Sequence, residues 1–416
     1  MSAGLMSGYK RTEVGVVPTD WQVCRLGDIA TTSSGTTPPR SLSERYYRNG
    51  TVPWVKTLDL DDRPLADTEE RVTLTALKET SLRMCPPGTV LVAMYGGFNQ
   101  IGRTGLLRMS AVTNQALVGV RANEDALDPE YLLANLNFRV DHWKSVASSS
   151  SSSSSSRKDA NITSEDVRSF LIACPPVAEQ QVIAKALGDT DSLIESLEQL
   201  IAKKRHIKQG AMQELLQPKD GWVVRTLSQL ADIRSGGTPS TNRAEYWDGG
   251  VPWCTPTDIT ALKGQKYLTT TSRTITSHGL KASSAEMIPS GSVVMTSRAT
   301  IGECAINRVP LATNQGFKNF VPFQGTEAEF LYYLLLTKKQ DFVGLCSGST
   351  FLEIGKTQLV GFEVALPTQP SEQTAIATIL SDMDAELTAL EAKLTKTRQL
   401  KQGMMRELLT GRIRLV

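Results

Sequence analysis

At 416 residues, 40% hydrophobic and 21% charged, the chain has the make-up of a soluble globular protein with room for two to four domains. Its six cysteines (Cys24, Cys85, Cys174, Cys254, Cys304, Cys346) are scattered with no CxxC pair, which argues against a disulfide framework or a zinc site and fits a reducing compartment, the cytoplasm. The opening MSAGLMSGYKRTE has no apolar signal core and no stretch approaches 18 uncharged apolar residues, so secretion and membrane spanning are not expected; a net charge of +2 does not by itself announce nucleic acid.

Along the chain, motifs return with a period near 200 residues. Trp21-Gln-Val-Cys-Arg-Leu26 recurs as Trp222-Val-Val-Arg-Thr-Leu227, and the turn Ser34-Gly35-Thr36-Thr37-Pro38 as Ser235-Gly236-Gly237-Thr238-Pro239. Val52-Pro53-Trp54 with Asp59 matches Val251-Pro252-Trp253 with Asp258, Ile101-Gly102 matches Ile301-Gly302, and Thr113-Asn114-Gln115 matches Thr313-Asn314-Gln315. Leu187, Lys208-Gln209-Gly210 and Glu214-Leu215-Leu216 return as Leu380, Lys401-Gln402-Gly403 and Glu407-Leu408-Leu409. Ordered matches along the whole chain mark a tandem duplication, too long in period for a solenoid.

Each copy opens with a turn-rich part, roughly Thr19–Cys174 and Gly221–Leu366, where Gly, Pro, Ser and Thr punctuate short β-type runs such as Thr89–Met94 and Ser292–Thr296. A helical patch follows, Glu130–Leu136 or Glu329–Leu335, and each part reads as a mixed α/β domain. Each copy then closes with a long heptad helix. Ile183, Leu187, Thr190, Ile194, Leu197 and Ile201 have the same spacing as Ile376, Leu380, Met383, Leu387, Leu390 and Leu394. About 40 residues make a helix of roughly 60 Å, which cannot bury its own apolar stripe. Two such helices bury each other's most simply as an antiparallel coiled coil, against the alternative that each packs only on its own domain. The expected architecture is two globular domains, 1–174 and 218–367, separated by helices 175–217 and 368–416 in a pseudo-two-fold repeat.

These residues resemble the specificity subunits of type I restriction–modification enzymes. The resemblance lies in the opening Thr12–Pro18 before Trp21, the Gly-x-Thr-Pro turns, the Val-Pro-Trp segments, the Thr-Asn-Gln triplets, and the helix starts Pro176-Val-Ala-Glu179-Gln180 and Pro370-Ser-Glu372-Gln373. It implies that each target-recognition domain reads one half of a split site in double-stranded DNA. It implies also that the helices act as a ruler and dock two modification subunits, which bring S-adenosylmethionine and methylate adenine. Restriction subunits using ATP and magnesium then join, and no cofactor is expected on this chain. The sequence departs from the pattern at Ser148–Ser156, nine serines that read as a flexible loop where the second copy has Ser347–Thr350.

No catalytic motif is evident. The Pro-Pro pairs at 38–39, 86–87 and 175–176 do not fit the (Asn/Asp)-Pro-Pro-aromatic motif of amino-methyltransferases. Gly355-Lys356-Thr357 lacks the first glycine of a phosphate loop, and Glu391-Ala-Lys393 lies on the heptad helix. His142, His206 and His278 have no metal-binding company.

Base reading needs donors and acceptors on loops that enter a groove. In the second domain Ser297, Arg298 and Thr300 leave an apolar strand, and Arg298 suits guanine. The equivalent stretch of the first domain offers Tyr95, Asn99, Gln100 and Arg103, with amides suited to adenine. Arg157, Lys158 and Lys318 are expected phosphate clamps. Asn114-Gln115 and Asn314-Gln315 either build a loop or touch backbone; Trp54 and Trp253 read as core. Lys203-Lys204-Arg205 and Lys393, Lys396, Arg398 are charged helix faces, for solubility or for partners. A non-enzymatic DNA-recognition subunit is the leading reading; a catalytic restriction or modification protein with an unrecognised site and a coiled-coil protein scaffold are the others.

Overall fold

The computed structural model describes residues 7–149, 161–346 and 352–415. The chain forms two compact units, residues 1–196 with 394–416, and residues 197–393. The first unit therefore takes in the chain's C-terminal residues as well as the expected domain 1–174.

At the centre of the first unit is a five-stranded sheet in the order Ala30–Ser34, Leu117–Ala122, Thr89–Ala93, Thr104–Leu107, Arg63–Leu65. Neighbours are antiparallel except the last pair, which runs parallel. Thr89–Ala93 is buried at every position because both of its faces are covered. Val90 and Val92 enter the core shared with Leu132 and Leu136, while Leu91 and Ala93 join a second cluster with Val55 and Leu107. Helix Pro129–Phe138 covers the first of these faces; it begins where the Asp128 carboxylate accepts the Tyr131 N–H, and proline at the first helical position has no N–H to satisfy.

The second unit repeats this topology. Its sheet runs Ala231–Ser235, Phe317–Pro322, Val293–Thr296, Cys304–Asn307, Tyr267–Leu268, again with only the last pair parallel. Val293 and Met295 enter the core with Phe330 and Leu334 of helix Ala328–Thr337, and Val294 faces the other side with Phe317. Each unit adds a three-stranded sheet, built on Val52–Val55 in one and Trp247–Cys254 in the other, and a two-stranded pair that ends just before a long helix.

The central helix, Val177–Leu215, and the C-terminal helix, Pro370–Leu408, are each 39 residues long. Within each unit, segments of the two lie antiparallel. In the first unit Ile183 and Leu187 share a core with Met405, Leu408 and Leu409, and Lys401 Nζ lies 2.6 Å from Asp191 Oδ1. In the second, Met212 and Leu216 pack with Ile376 and Leu380, Lys204 lies 2.7 Å from Glu386, Arg205 lies 2.6 Å from Glu391, and Lys208 pairs with Asp384. Burying one Leu or Ile contributes about 1.5–3 kcal/mol, against about 0–1 kcal/mol for an exposed ion pair, so the heptad seam rather than its charged rim holds the helices together.

Buried polar networks seat the helices on each domain. Lys266, 7% exposed, donates to Glu329 Oε2 (2.8 Å) and to Ser381 Oγ of the C-terminal helix (2.6 Å). In the first unit the C-terminal tail closes on the N-terminal strands. Tyr9 donates to Gly411 O at 2.8 Å, and Arg414 bonds both Asp20 and Glu179, the latter 1% exposed and also accepting from the Trp21 indole.

The serine run is not a loop from its start. Helix Val140–Ser149 includes its first two residues, and Ser148 Oγ donates to Lys144 O at 2.7 Å, because a serine can return a bond to the preceding turn. The remainder of the run, with Arg157 and Lys158, lies outside the described residues.

Candidate nucleic-acid interface

The repeated motifs form one lock, built twice. Thr36 N–H donates to Thr113 O, and Gly237 N–H to Thr313 O, both at 2.9 Å. The approach is so close that a Cβ at Gly35 would lie 2.1 Å from Thr113 O, and one at Gly236 1.8 Å from Asn314 O. Trp54 and Trp253 are buried as expected of core residues, and their indoles donate to Thr36 O (3.3 Å) and Gly237 O (3.0 Å). Asn114 Oδ1 accepts from Ala116 N–H and Asn314 Oδ1 from Gly316 N–H, while Gln115 and Gln315 engage the hydroxyls of Thr37 and Thr238. Of the two readings left open for the Thr-Asn-Gln triplets, these contacts are those of loop building.

Beside each lock a loop leaves the central sheet. In the first unit it runs from Met94 to Arg103. Met94 N–H is held by Ala116 O, Gly102 N–H by Ala93 O, and Gly96 and Gly97 take φ of +132° and +108°, which favours glycine. Ile101 is fully buried, so the loop is pinned while Asn99 at its tip is exposed. Tyr95 and Phe98 pack partly on the core, Gln100 and Arg103 are half-buried, and burial raises the Tyr95 phenol above its ordinary range.

The second unit's loop is three residues shorter. Thr296 brackets it: its hydroxyl donates to Thr300 O at 2.5 Å and accepts from Glu303 N–H at 3.1 Å. Arg298 is exposed on its side chain to 46%, and Ala299 beside it sits at φ +54°. Ser297 is fully buried, its N–H bonded to Gly316 O, and Thr300 is exposed.

Two expected contacts are placed otherwise. Lys318 is 5% exposed and lies in the sheet with Nζ 3.8 Å from Glu353 Oε1, and burial lowers its pKa; it does not present the surface ammonium expected of a phosphate clamp. Ser297 turns its side chain inward, away from a direct base contact. Of the helix cations, Lys204 and Arg205 are engaged across the seam. Gly355 precedes the short helix Lys356–Val360, a structural use of the phosphate-loop look-alike.

Two features gave no sequence signal. Glu353 approaches Arg298 from 55 positions downstream. A guanidinium also stacks beside each Val-Pro-Trp tryptophan, supplied by different positions: Arg40 lies 4.1 Å from the Tyr47 ring and 5.2 Å from that of Trp54, and Arg273 lies 4.0 Å from Trp247 and 5.4 Å from Trp253.

Both copies match one family, the type I restriction modification DNA specificity domain, over residues 18–203 and 219–402. The chain belongs to this family. Each matched stretch takes in one domain and much of the helix that follows, so the family match falls once on each copy of the duplication.

Among the family's members, the type I restriction enzyme MjaIX specificity subunit of Methanocaldococcus jannaschii is 41% identical over 169 residues, 40% of this chain and 38% of that protein. The EcoR124I/EcoR124II specificity subunit of Escherichia coli is 25% identical over 58% of this chain and 62% of its own. In these two matches the chain spans less than two thirds of the relative. The putative MjaX specificity subunit of Methanocaldococcus jannaschii is matched end to end, 23% identical over 98% of this chain and 97% of that one. The fold is shared with the S subunit of a type I restriction–modification system from M. genitalium, at a TM-score of 0.58 and 14% identity over 93% of this chain and 96% of that one. A chain from a structure concerned with complex assembly and conformational transition of the type I R-M system also has a TM-score of 0.58, with 17% identity over 95% and 99% of the two chains. Among the described residues, no helix is long and apolar enough to cross a membrane.

Proposed function

We propose that this chain is the DNA-reading subunit of a type I restriction–modification enzyme in the cytoplasm, each domain recognising one half of a bipartite, asymmetric site in double-stranded DNA. One observation carries the reading: the same sheet topology and the same pattern of loop lock occur twice, and the loops they hold up differ in length and chemistry. A scaffold that must stay the same while its presented side chains differ is what two nonidentical half-sites require. In the first loop, Asn99, Gln100 and Arg103 are the reading residues; in the second, Arg298 and Thr300.

The paired helices set the distance between half-sites and carry two modification subunits. In support, Leu200 and Ile207, seven residues apart on the central helix, stay 38% and 46% exposed while Ile201 beside them is buried in the seam; an apolar row of this kind suits a further helix. The modification subunits bring S-adenosylmethionine, and restriction subunits bring ATP and magnesium. The bond-making steps belong to those chains, since the Pro-Pro segments here serve turns and helix starts: Thr89 Oγ1 donates to Pro86 O, and Gln180 Nε2 to Pro175 O.

Mapping of methylated adenines across the source genome, with and without this gene, tests the proposal. A single two-part motif that disappears with the gene is the expected result. An unchanged methylation pattern in a cell with active modification subunits would overturn it.

A further inference from the structure

We infer that Glu353 is a positioning residue for DNA readout: its carboxylate forms an ion pair with the Arg298 guanidinium at Nε and leaves the terminal nitrogens to face a guanine. This rests on the proposed reading of the second loop.

The geometry is specific. Arg298 Nε lies 2.9 Å from Glu353 Oε2. The backbones of the two residues form an isolated antiparallel bridge, and Ile354 N–H donates to Ser297 O at 3.1 Å. Ile354 is fully buried, so the acidic segment is anchored in the core and not draped over the loop. Glu353 is thus held through its own backbone, and its carboxylate forms an ion pair with Arg298.

Contact at Nε matters because a guanidinium has two usable edges. Bidentate recognition of guanine O6 and N7 uses two N–H donors of one fork. A carboxylate at Nε orients the group while the Nη1–Nη2 edge remains for the base. An arginine ordered before DNA arrives also gives up less rotamer freedom on binding. Glu353's other oxygen faces Lys318 Nζ at 3.8 Å, so one carboxylate lies between two cations. That arrangement limits the repulsion a lone carboxylate would exert on approaching phosphates. It also gives the buried Lys318 a use that its place in the sheet otherwise lacks.

Among the described residues, the first unit has no such device. Equivalence follows from the shared pairings: Met295 lies opposite Lys318 as Val92 lies opposite Val118, and Ile354 N–H bonds Ser297 O as Ile162 N–H bonds Met94 O. The positions of Arg298, Lys318 and Glu353 are therefore held there by Tyr95, Val118 and Asn161, none of them charged at neutral pH. Among the described residues, the triad belongs to the second unit alone.

The test uses the full-length chain assembled with its modification subunits. Binding is measured to duplexes carrying the mapped recognition sequence and to duplexes with each base pair of the second half-site replaced in turn. R298A is expected to lose on the order of tenfold or more in discrimination at one base pair. E353Q and E353A are expected to lose discrimination at that same base pair, E353Q less, with R298A/E353A no worse than R298A. The salt dependence of binding should stay unchanged, since no phosphate contact is removed. If R298A relaxes a base pair and the Glu353 variants leave it intact, or weaken every duplex equally, the positioning role is overturned. If R298A leaves all base pairs discriminated, the reading of the loop fails and this inference falls with it.

Discussion

Gln180, at the start of the central helix, accepts a hydrogen bond from the Asp128 backbone N–H at 2.9 Å and donates to Ala126 O and Pro175 O. Gln373 makes the same three bonds in the second copy, to Glu327 N–H, Gly325 O and Pro367 O. Both side chains are almost wholly buried. In each case one amide ties the first turn of a long helix to the segment that opens the domain's sheet-covering helix. Replacing either glutamine by alanine strands two carbonyls and an N–H inside the protein. Q180A and Q373A should each cost about 2–4 kcal/mol in urea unfolding, close to one another in size. A loss under 0.5 kcal/mol for either would show that the lock contributes little.

The reading loops should act independently. N99A is expected to relax the sequence recognised by the first unit and R298A that of the second, each by about 1–3 kcal/mol at one base pair. Methylated-base mapping in cells expressing each variant reads both half-sites at once. A change in the wrong half-site, or in both, would reassign the loops.

Acid should loosen the second unit by a traceable route. Burial acts to raise the Glu329 carboxyl, but hydrogen bonds from Lys266, Ser381 and Tyr267 prevail and hold it at about 2, below its ordinary 4.5. With a folded pKa below the unfolded one, the stabilisation is complete above about pH 4.5 and fades as pH falls toward about 2. E329Q has no such dependence. Thermal melts of the two proteins should therefore differ most above pH 4.5 and converge in acid; a constant gap would remove Glu329 from the account.

In the first unit the deciding pair is Arg414 with Glu179. Arg414 keeps 30% of its side-chain surface, which screens the interaction, while Glu179 keeps 1%. R414A leaves a buried carboxylate with the Trp21 indole at 3.2 Å, and is expected to destabilise by about 1–3 kcal/mol. R414A/E179Q should be less harmful than the sum of its parts, and strict additivity in unfolding experiments would refute the coupling.

Removing one heptad from each long helix shortens each by about 10 Å. If the helices set half-site spacing, the mapped motif should keep both halves and lose about three base pairs between them. An unaltered spacer would end the ruler proposal.

What was legible in the sequence was whatever recurs. The Gly35 and Gly236 turns, the buried Trp54 and Trp253, and the Ile183 and Ile376 seams each appear twice at fixed spacing, and each has a local physical cause visible in a few residues. What was illegible depends on distant partners. Lys318 reads as a surface cation until its strand is seen between two others, with Glu353 above it. Gln180 and Gln373 are legible only through the resemblance, since for each an N–H and one of the two carbonyls lie about 50 residues upstream. Ser148 and Ser149 read as loop by composition, although the helix before them carries on through both.

The closure of the first unit by Met405, Leu408 and Arg414 has a consequence for biosynthesis. The core of the domain that leaves the ribosome first takes in Met405, Leu408 and Leu409, which are translated after residues 197–393. Newly made chains therefore complete residues 197–393 before the core of the first unit.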